Sequence, residues 1–552
     1  MKVNTFNQNK KRMSILAALL AMIFIVSACA TASDTATPAP AGDGAAATGD
    51  TAPATGDTAA NGSAPASGEV VFAVMSDAPT LDFNAAGGNN SATADVRNNI
   101  TEGLVRFSPG PTPQVVPVLA TSWDIPDPYT YIFNLRQGVT FHDGSPFNAD
   151  AVKLSLDRVL DPDIASPVAF LLDMIDEITV IDDYTVQITL QFPYAPFMNH
   201  LAHGAAQIVA PATIEEANAG GRSVSENIIG TGPFILDEWA PGDFMRLVPN
   251  PNHWESVPAV DVIFRVVPDP QTRMAMLDAG EANVTFLQGG QYLQMNHLNH
   301  VEFIQFGSAV FSYLGINTAS EGPLGNAEVR RAIAMAVDIE SIFYGIAEGF
   351  GSIASDGPLP PLVNLSPTGI DMPQFNPEAA RQLLIDLGYG DGFDIDLVVN
   401  EGNAARAQTA ELLQAELLPM NINVNIRVLE WGAFLADIDA GNYDMATQAW
   451  GVITADPDYA FDPLFHSRNH PPYGNNSTFL SNARVDELLE AARLELDPAN
   501  RAAMYNEVAA ILQEEMPAIF TTFGHSIFGV NGIDGIEFNF NSDPFFRNVT
   551  LR

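Results

Sequence analysis

NPEAARQLLIDLGYGDGFDIDLVVNEGNAARAQTAELLQAELLPMNINVNIRVL, residues 376–429, reads as helix, strand, helix, strand. Asn376 offers an N-cap and Pro377 suits a first helical turn. Leu383, Leu384 and Leu387 make an apolar stripe, and Gly388 supplies a left-handed stop, so a helix is predicted over 377–387. The runs DIDLVV (394–399) and NVNIRVL (423–429) read as strands that bracket a second helix over 404–418. Alternation of this kind argues for an α/β architecture.

The pattern continues outward in both directions. A helical pair is predicted over 483–496 and 501–515, broken at Asp497-Pro498, with Asn500 capping the second member. Upstream, YIFNLR (131–136) and TVQITLQF (185–192) read as strands. From residue 68 onward about 485 residues carry evenly spread apolar side chains and no short internal repeat. That is too long for one small core and enough for two or three packed units.

The N-terminus has a different composition. Lys10, Lys11 and Arg12 precede the apolar run Ile15–Val26 and the small residues Ser27 and Ala28, the order of an export signal. The run falls short of the ~20 residues that a bilayer core requires. Val26-Ser27-Ala28 before Cys29, the single cysteine of the chain, resembles the bacterial lipobox. Residues 1–28 are therefore expected to be a lipoprotein signal peptide, with Cys29 acylated as the membrane anchor. Residues 30–67 lack Leu, Ile, Val and aromatics, so 29–67 is expected to be a disordered tether. A flexible linker of that length spans about 30–40 Å.

Charge narrows the function classes. The full chain carries a formal charge of −42, and loss of residues 1–28 would remove four cations and no acid. Lys153 is then the only lysine, beside nineteen arginines. Nucleic-acid binding needs basic clusters that displace counterions, and none is present. With Cys29 acylated, no thiol is left for disulfides, redox chemistry or thiolate metal sites.

The run PVLATSWDIPDPYTYIFNLRQGVTFHDGSPFNADAV, 117–152, resembles the signature of the family 5 extracytoplasmic solute-binding proteins, the peptide- and nickel-type binding components of ATP-driven importers. Six further stretches match in the family's order. They are GTGPFIL (230–236) with NPNHW (250–254), VRRAIAMAVD (329–338), AARQLLIDLGY (379–389), GNYDMATQAW (441–450), DPDYAFDPLF (456–465) and the segment from Arg484 to Pro517. The resemblance spans about 68–552. It implies a two-lobed periplasmic-binding-protein-like clamshell: lobe 1 from 68–309 plus the returning 527–552, and lobe 2 from 310–526. It also implies an extra subdomain of lobe 1 at about 105–227. The chain would cross between lobes near Ser308–Asn317 and Thr522–Phe528, and these crossings would act as the hinge.

Candidate ligand-binding residues follow from the same resemblance. Trp450 would end a strand and line the cleft with a flat ring and an indole N–H. In peptide-binding relatives an aspartate three positions on pairs with the peptide's ammonium group, and here that position holds Ile453. Asp456 or Asp458 would either take over that role or form a structural Asp-Pro-Asp turn. An arginine that some relatives place three positions before the tryptophan is replaced by Thr447. Asn89 and Asn90, in the loop Gly87–Ser91, suit amides, hydroxyls or sugars, or else form a plain surface turn. Tyr313, Asn317 and Phe523, with Phe311, complete the wall at the crossings.

Other classes have less behind them. No GxSxG or HExxH motif marks a hydrolase, and His142-Asp143 lies in the 117–152 signature, where a turn role fits. The histidine pairs His200/His203, His297/His300 and His466/His470 show no third metal ligand and read as solvated surface residues. A clamshell sensor or adhesin without a transporter is a further alternative. The expectation is a non-enzymatic, monomeric, lipid-anchored solute-binding protein without cofactor. Outside the cytoplasm it would hand a small solute, a peptide first and an oligosaccharide or metal chelate otherwise, to an ABC permease driven by cytoplasmic ATPase subunits.

Overall fold

The Asn376 side chain accepts a hydrogen bond from Ala379 N and starts the helix Pro377–Asp386, with Gly388 left-handed at φ +88°. The second predicted helix forms as Ala404–Leu417, capped by Asn403. Of the later pair, Ala483–Leu494 and Pro498–Glu515, the second is capped by Asp497 rather than Asn500. Asp497 Oδ1 accepts from the N–H groups of Ala499 and Asn500, so Pro498 takes the first helical position, where its missing N–H costs nothing.

The computed structural model describes residues 68–552, a mixed α/β body of two lobes with an extra subdomain. The expectations for the signal peptide, Cys29 and the tether lie outside the described residues. Among the described residues no helix is long and apolar enough to cross a membrane.

One large sheet runs through the body. Its long strands in chain order are β1 (Glu69–Val74), β2 (Phe234–Ala240), β3 (Phe244–Pro249), β4 (Asp261–Val266), β5 (Val284–Leu287), β6 (Glu302–Ile316), β7 (Phe393–Asn400), β8 (Ile422–Leu429), β9 (Met445–Gly451) and β10 (Ala518–Val530). Their spatial order is β2-β3-β4-β1-β5-β10-β6-β9-β7-β8. At one end β4-β1-β5 are parallel; at the other β9-β7-β8 are parallel, joined through the helices Ala404–Leu417 and Trp431–Ala440. Strands joined by crossover helices lie parallel and are buried on both faces, which explains the fully buried run Leu397–Val399.

The two ends are held together by β6 and β10. They pair antiparallel from Glu302↔Val530 to Gly315↔Ala518, with register shifts on either side of Phe311. The far half of β10 pairs with β5, and the far half of β6 pairs with β9. Each long strand thus belongs to both ends of the sheet.

The extra subdomain carries a four-stranded antiparallel sheet, Ala120–Asp127, Thr130–Leu135, Thr185–Leu190 and Ile175–Asp182 in spatial order. Thr130–Leu135 and Thr185–Leu190 bury every second residue, the period-2 sign of one covered face. The helix Ala149–Leu160 covers that face, and on it Lys153 donates to Ile178 O and pairs with Asp157.

Apolar packing joins the subdomain to the rest of the body. Phe133, Phe147 and Phe197 belong to one continuous cluster with Phe311, Tyr313, Phe461, Phe465 and Phe520. Polar links cross the same contact. Tyr194 donates to Asp458 (2.7 Å), Asn199 donates to Thr454 O (2.8 Å), and Ala195 N donates to Arg493 O (2.8 Å). The solvated reading fails for His200 and His466, both of which are buried. The His200 ring bridges Leu171 O and Tyr194, and His466 sits between Asp486 and Glu490. Among the described residues no cluster of three metal-ligating side chains forms.

The turn after β9 is fixed by a buried ion pair. Arg501 makes two hydrogen bonds to Asp456, at 2.8 and 3.0 Å, and a third to the hydroxyl of Tyr505. Removing one partner of such a pair leaves an uncompensated charge. Asp456→Ala should lower unfolding stability by about 3–5 kcal/mol, read as a lower midpoint in urea denaturation.

Candidate ligand-binding site

A cavity of about 400 Å³ is walled by residues drawn from distant parts of the chain. One wall begins at the loop 87–90. Gly88 packs against the 82–83 backbone so closely that a Cβ would lie 2.1 Å from Asp82 O, so only glycine fits there. Asp82 is itself held by two hydrogen bonds from Arg158, with Arg97 at 3.9 Å. Burial pushes this carboxyl up, but the two guanidiniums outweigh it and hold it below the usual range.

Asn90 is the N-cap of the helix Ser91–Arg97. Its carbonyl accepts from Thr93 N, and its amide donates to Gly87 O. Both ends of that side chain are therefore occupied, and it lines the cavity as a wall rather than as a free hydrogen-bonding group. Asn89, next to it, is exposed and has no internal hydrogen bond among the described residues.

Trp450 lies in β9, one residue before its end, opposite Phe311 of β6. Its indole N–H is already spent on Tyr459 O at 2.9 Å, so the residue offers its ring and not its N–H. Trp450 and Tyr459 both line the main cavity, and both also line a second cavity of about 330 Å³, together with Asp458, Asp462, Arg468 and Arg493. Ile453 follows on the same wall. Its carbonyl accepts from the Asn541 side chain at 3.1 Å.

Asn89, Asn90, Trp450 and Ile453 are thus brought together around one cavity, and the remaining predicted wall residues are not. Tyr313 is 5 % exposed and packs between Phe311 and Phe520. Asn317 clamps a loop, donating to Gly441 O and Tyr443 O and accepting from Ala319 N. Phe523 is buried in β10 opposite Phe311. Asp456 is committed to Arg501, the structural arm of the two expected readings of the Asp-Pro-Asp turn. In each case the side chain faces packing or a committed polar partner.

The sequence reading missed the rest of the lining. Glu102, Arg106, His203, Gln207 and the turn Asn539–Asp543 all face the cavity. Glu102 is engaged internally, accepting from Thr231, Trp254 and His253. His203 is pulled down to about 4 by burial and by the neighbouring His200 and Arg97, so it is neutral near pH 7. In the Asn539–Asp543 turn, Asn539 Oδ1 accepts from the N–H groups of Asn541 and Asp543, while its amide donates to Asp543 Oδ2. The cluster of Asx residues in NFNSD, 539–543, was the only signal of this turn in the sequence.

The family profile described as bacterial extracellular solute-binding proteins, family 5 Middle, matches residues 114–471. The glutathione-binding protein GsiB of Salmonella typhi is 32 % identical over 463 residues, covering 82 % of this chain and 88 % of that protein. Among solved structures, HbpA2 from Haemophilus parasuis superposes with a TM-score of 0.79 at 27 % identity, over 88 % of this chain and all of the other. A dipeptide-binding protein from Pseudoalteromonas, in complex with Met-Leu, does so with a TM-score of 0.76 at 25 % identity and the same coverage. The matched family is one of solute-binding proteins for transport and is not catalytic. The chain belongs to the bacterial extracellular solute-binding proteins, family 5, and is an extracytoplasmic component of an ABC transporter that passes a small solute to its permease.

Proposed function

We propose that the solute is a small peptide, held in the 400 Å³ cavity against the ring of Trp450. The observation that carries this reading is the pair of lining amides with hydrogen-bonding capacity left over: Asn89, which has no internal hydrogen bond among the described residues, and Asn541, which spends only its amide nitrogen, on Ile453 O. A peptide backbone presents alternating N–H and C=O groups, and primary amides offer both a donor and an acceptor. The apolar face of Trp450, with Tyr459 and Phe107 nearby, suits a side chain of the same ligand. That relatives of the family are glutathione- and dipeptide-binding proteins by name supports the same choice.

In this proposal the lobes are 68–309 with 527–552, and 310–526, with 105–227 as the extra subdomain of the first. The long strands β6 and β10 form the hinge, where the register shifts around Phe311 interrupt the ladder. The links from Tyr194, Asn199 and Asn541 to the opposite lobe would then be contacts of the closed form. The protein acts as a monomer, anchored to the membrane through acylated Cys29.

Calorimetry with a panel of di- to tetrapeptides, oligosaccharides and metal chelates tests the ligand class. Peptide binding with none by the other two supports the proposal, and selective binding of a sugar or chelate overturns it. Trp450→Ala should weaken binding of the peptide found by at least about 1 kcal/mol, and an unchanged affinity would place the ligand elsewhere. Cys29→Ser should move the protein from the membrane fraction to the soluble fraction of fractionated cells. Retention on the membrane would refute acylation at that residue.

A further inference from the structure

Ile453 stands where peptide-binding relatives of the resembled family place the carboxylate for the ligand's ammonium group, so a peptide in this cavity needs another counter-charge. The turn Asn539–Asp543 reaches that very position, because the Asn541 side chain donates to the carbonyl of Ile453 at 3.1 Å. Two residues further on, Asp543 lines the same cavity. Its carboxylate is held in place from both sides. Asn539 donates to Oδ2 at 2.8 Å, and the Asn98 side chain bonds to it as well. Among the described residues no arginine, lysine or histidine forms an ion pair with Asp543, and its charge is felt by a second carboxylate, Asp95.

An oriented carboxylate without a counter-ion in a partly buried wall is costly unless something else supplies the positive charge. A second, independent observation points to a ligand at the same place. Arg106, also in the cavity lining, has its Nε buried with no hydrogen-bond partner; its guanidinium stacks over Phe545 at 5.3 Å and feels Glu102, Glu255 and Glu537 through space, but forms no ion pair with any of them. The cavity thus carries one group of each sign that, among the described residues, forms no ion pair. That is the complement of a zwitterion.

We propose that Asp543 is the anchor for the ammonium group of the captured ligand, replacing the carboxylate that Ile453 cannot supply, and that Arg106 receives the ligand's carboxylate. The assignment rests on the peptide reading above and gives it an orientation, with the amino terminus at the 539–543 turn.

The acidity of the site makes the assignment readable in solution. Burial pushes the Asp543 carboxyl up to about 6, against the opposing bonds from Asn539 and Asn98. Asp95, on the helix Ser91–Arg97, is held well above the usual carboxylate range by burial and by Asp543 itself. The other ionisable groups of the lining are Glu102, Arg106, His203 and Tyr459. Of these, His203 titrates near 4, and burial raises Tyr459 to about 12. Ammonium binding favours ionised Asp543, so affinity should be full above about pH 6 and fall below it. Near pH 6 a captured peptide should therefore expel a proton.

The experiment compares a dipeptide with its N-acetylated form by calorimetry at pH 6, in two buffers of different ionisation enthalpy. The wild type should prefer the free amine by at least about tenfold and release a proton on binding it. Asp543→Asn, nearly isosteric, should lose both the preference and the proton release. Adding Ile453→Asp to Asp543→Asn should restore the preference, because the two positions adjoin. Arg106→Gln should erase discrimination between a free and an amidated C-terminus. Proton release in the wild type needs no variant and covers the case in which Asp543→Asn fails to fold. Equal affinity of the wild type for the two forms, or an unchanged preference in folded Asp543→Asn, would overturn the assignment. Failure of either form to bind the wild type would overturn the peptide reading itself.

Discussion

The antiparallel pairing of β6 with β10 is the constraint on which the rest of the molecule depends. Fifteen residues on one strand and thirteen on the other are the longest strands described, and each contributes hydrogen bonds to both ends of the large sheet. Without them, the parallel unit β4-β1-β5 and the parallel unit β9-β7-β8 would share no ladder. The ladder is interrupted around Phe311, where two register shifts fall within a few residues. Shifts of this kind increase local twist and bend. Phe311 is itself fully buried against Tyr313 and Phe520, so the bend is supported by aromatic packing.

Polar order around the cavity comes from charges committed elsewhere. Asp82 is tied to Arg158, Asp456 to Arg501 and Asp458 to Arg493, each by two hydrogen bonds. These pairs give little net stability compared with apolar packing, but each is expensive to break from one side. They fix three loops that lie beside or form the cavity wall: the approach to Asn89, the turn after Trp450, and the start of the helix Asp458–Phe465. With so many acids paired internally, the few that are unpaired in a wall stand out.

Periodicity and capping made the parallel unit legible in the sequence, because Asn376, Gly388 and the alternating helix and strand patterns depend on near neighbours. Asp497-Pro498 shows the limit of that reading: two competent caps lay within four residues, and the proline, which suits a first helical position, left the role to Asp497 rather than Asn500. For the site, Trp450 was accessible because it ends one of the collinear stretches, and the loop at 87–90 because glycines and asparagines between a strand and a helix mark a turn. Tyr313 and Phe523 failed because aromatics on long strands serve the core equally well, and alternation does not say which face meets a cavity. Arg106 and Asp543 were out of reach. Their significance lies in what does not pair with them, and the 539–543 turn meets Ile453 across about ninety residues of chain.

Lysine is almost absent from this surface. Within residues 68–552 Lys153 is the sole lysine, half-exposed on the subdomain helix and outside the cavity lining. An amine-selective dye therefore finds a single lysine side chain in the folded body, on the subdomain helix Ala149–Leu160. The same residues hold no cysteine, so a second reporter at a cysteine introduced beside β7–β9 would complete a distance pair.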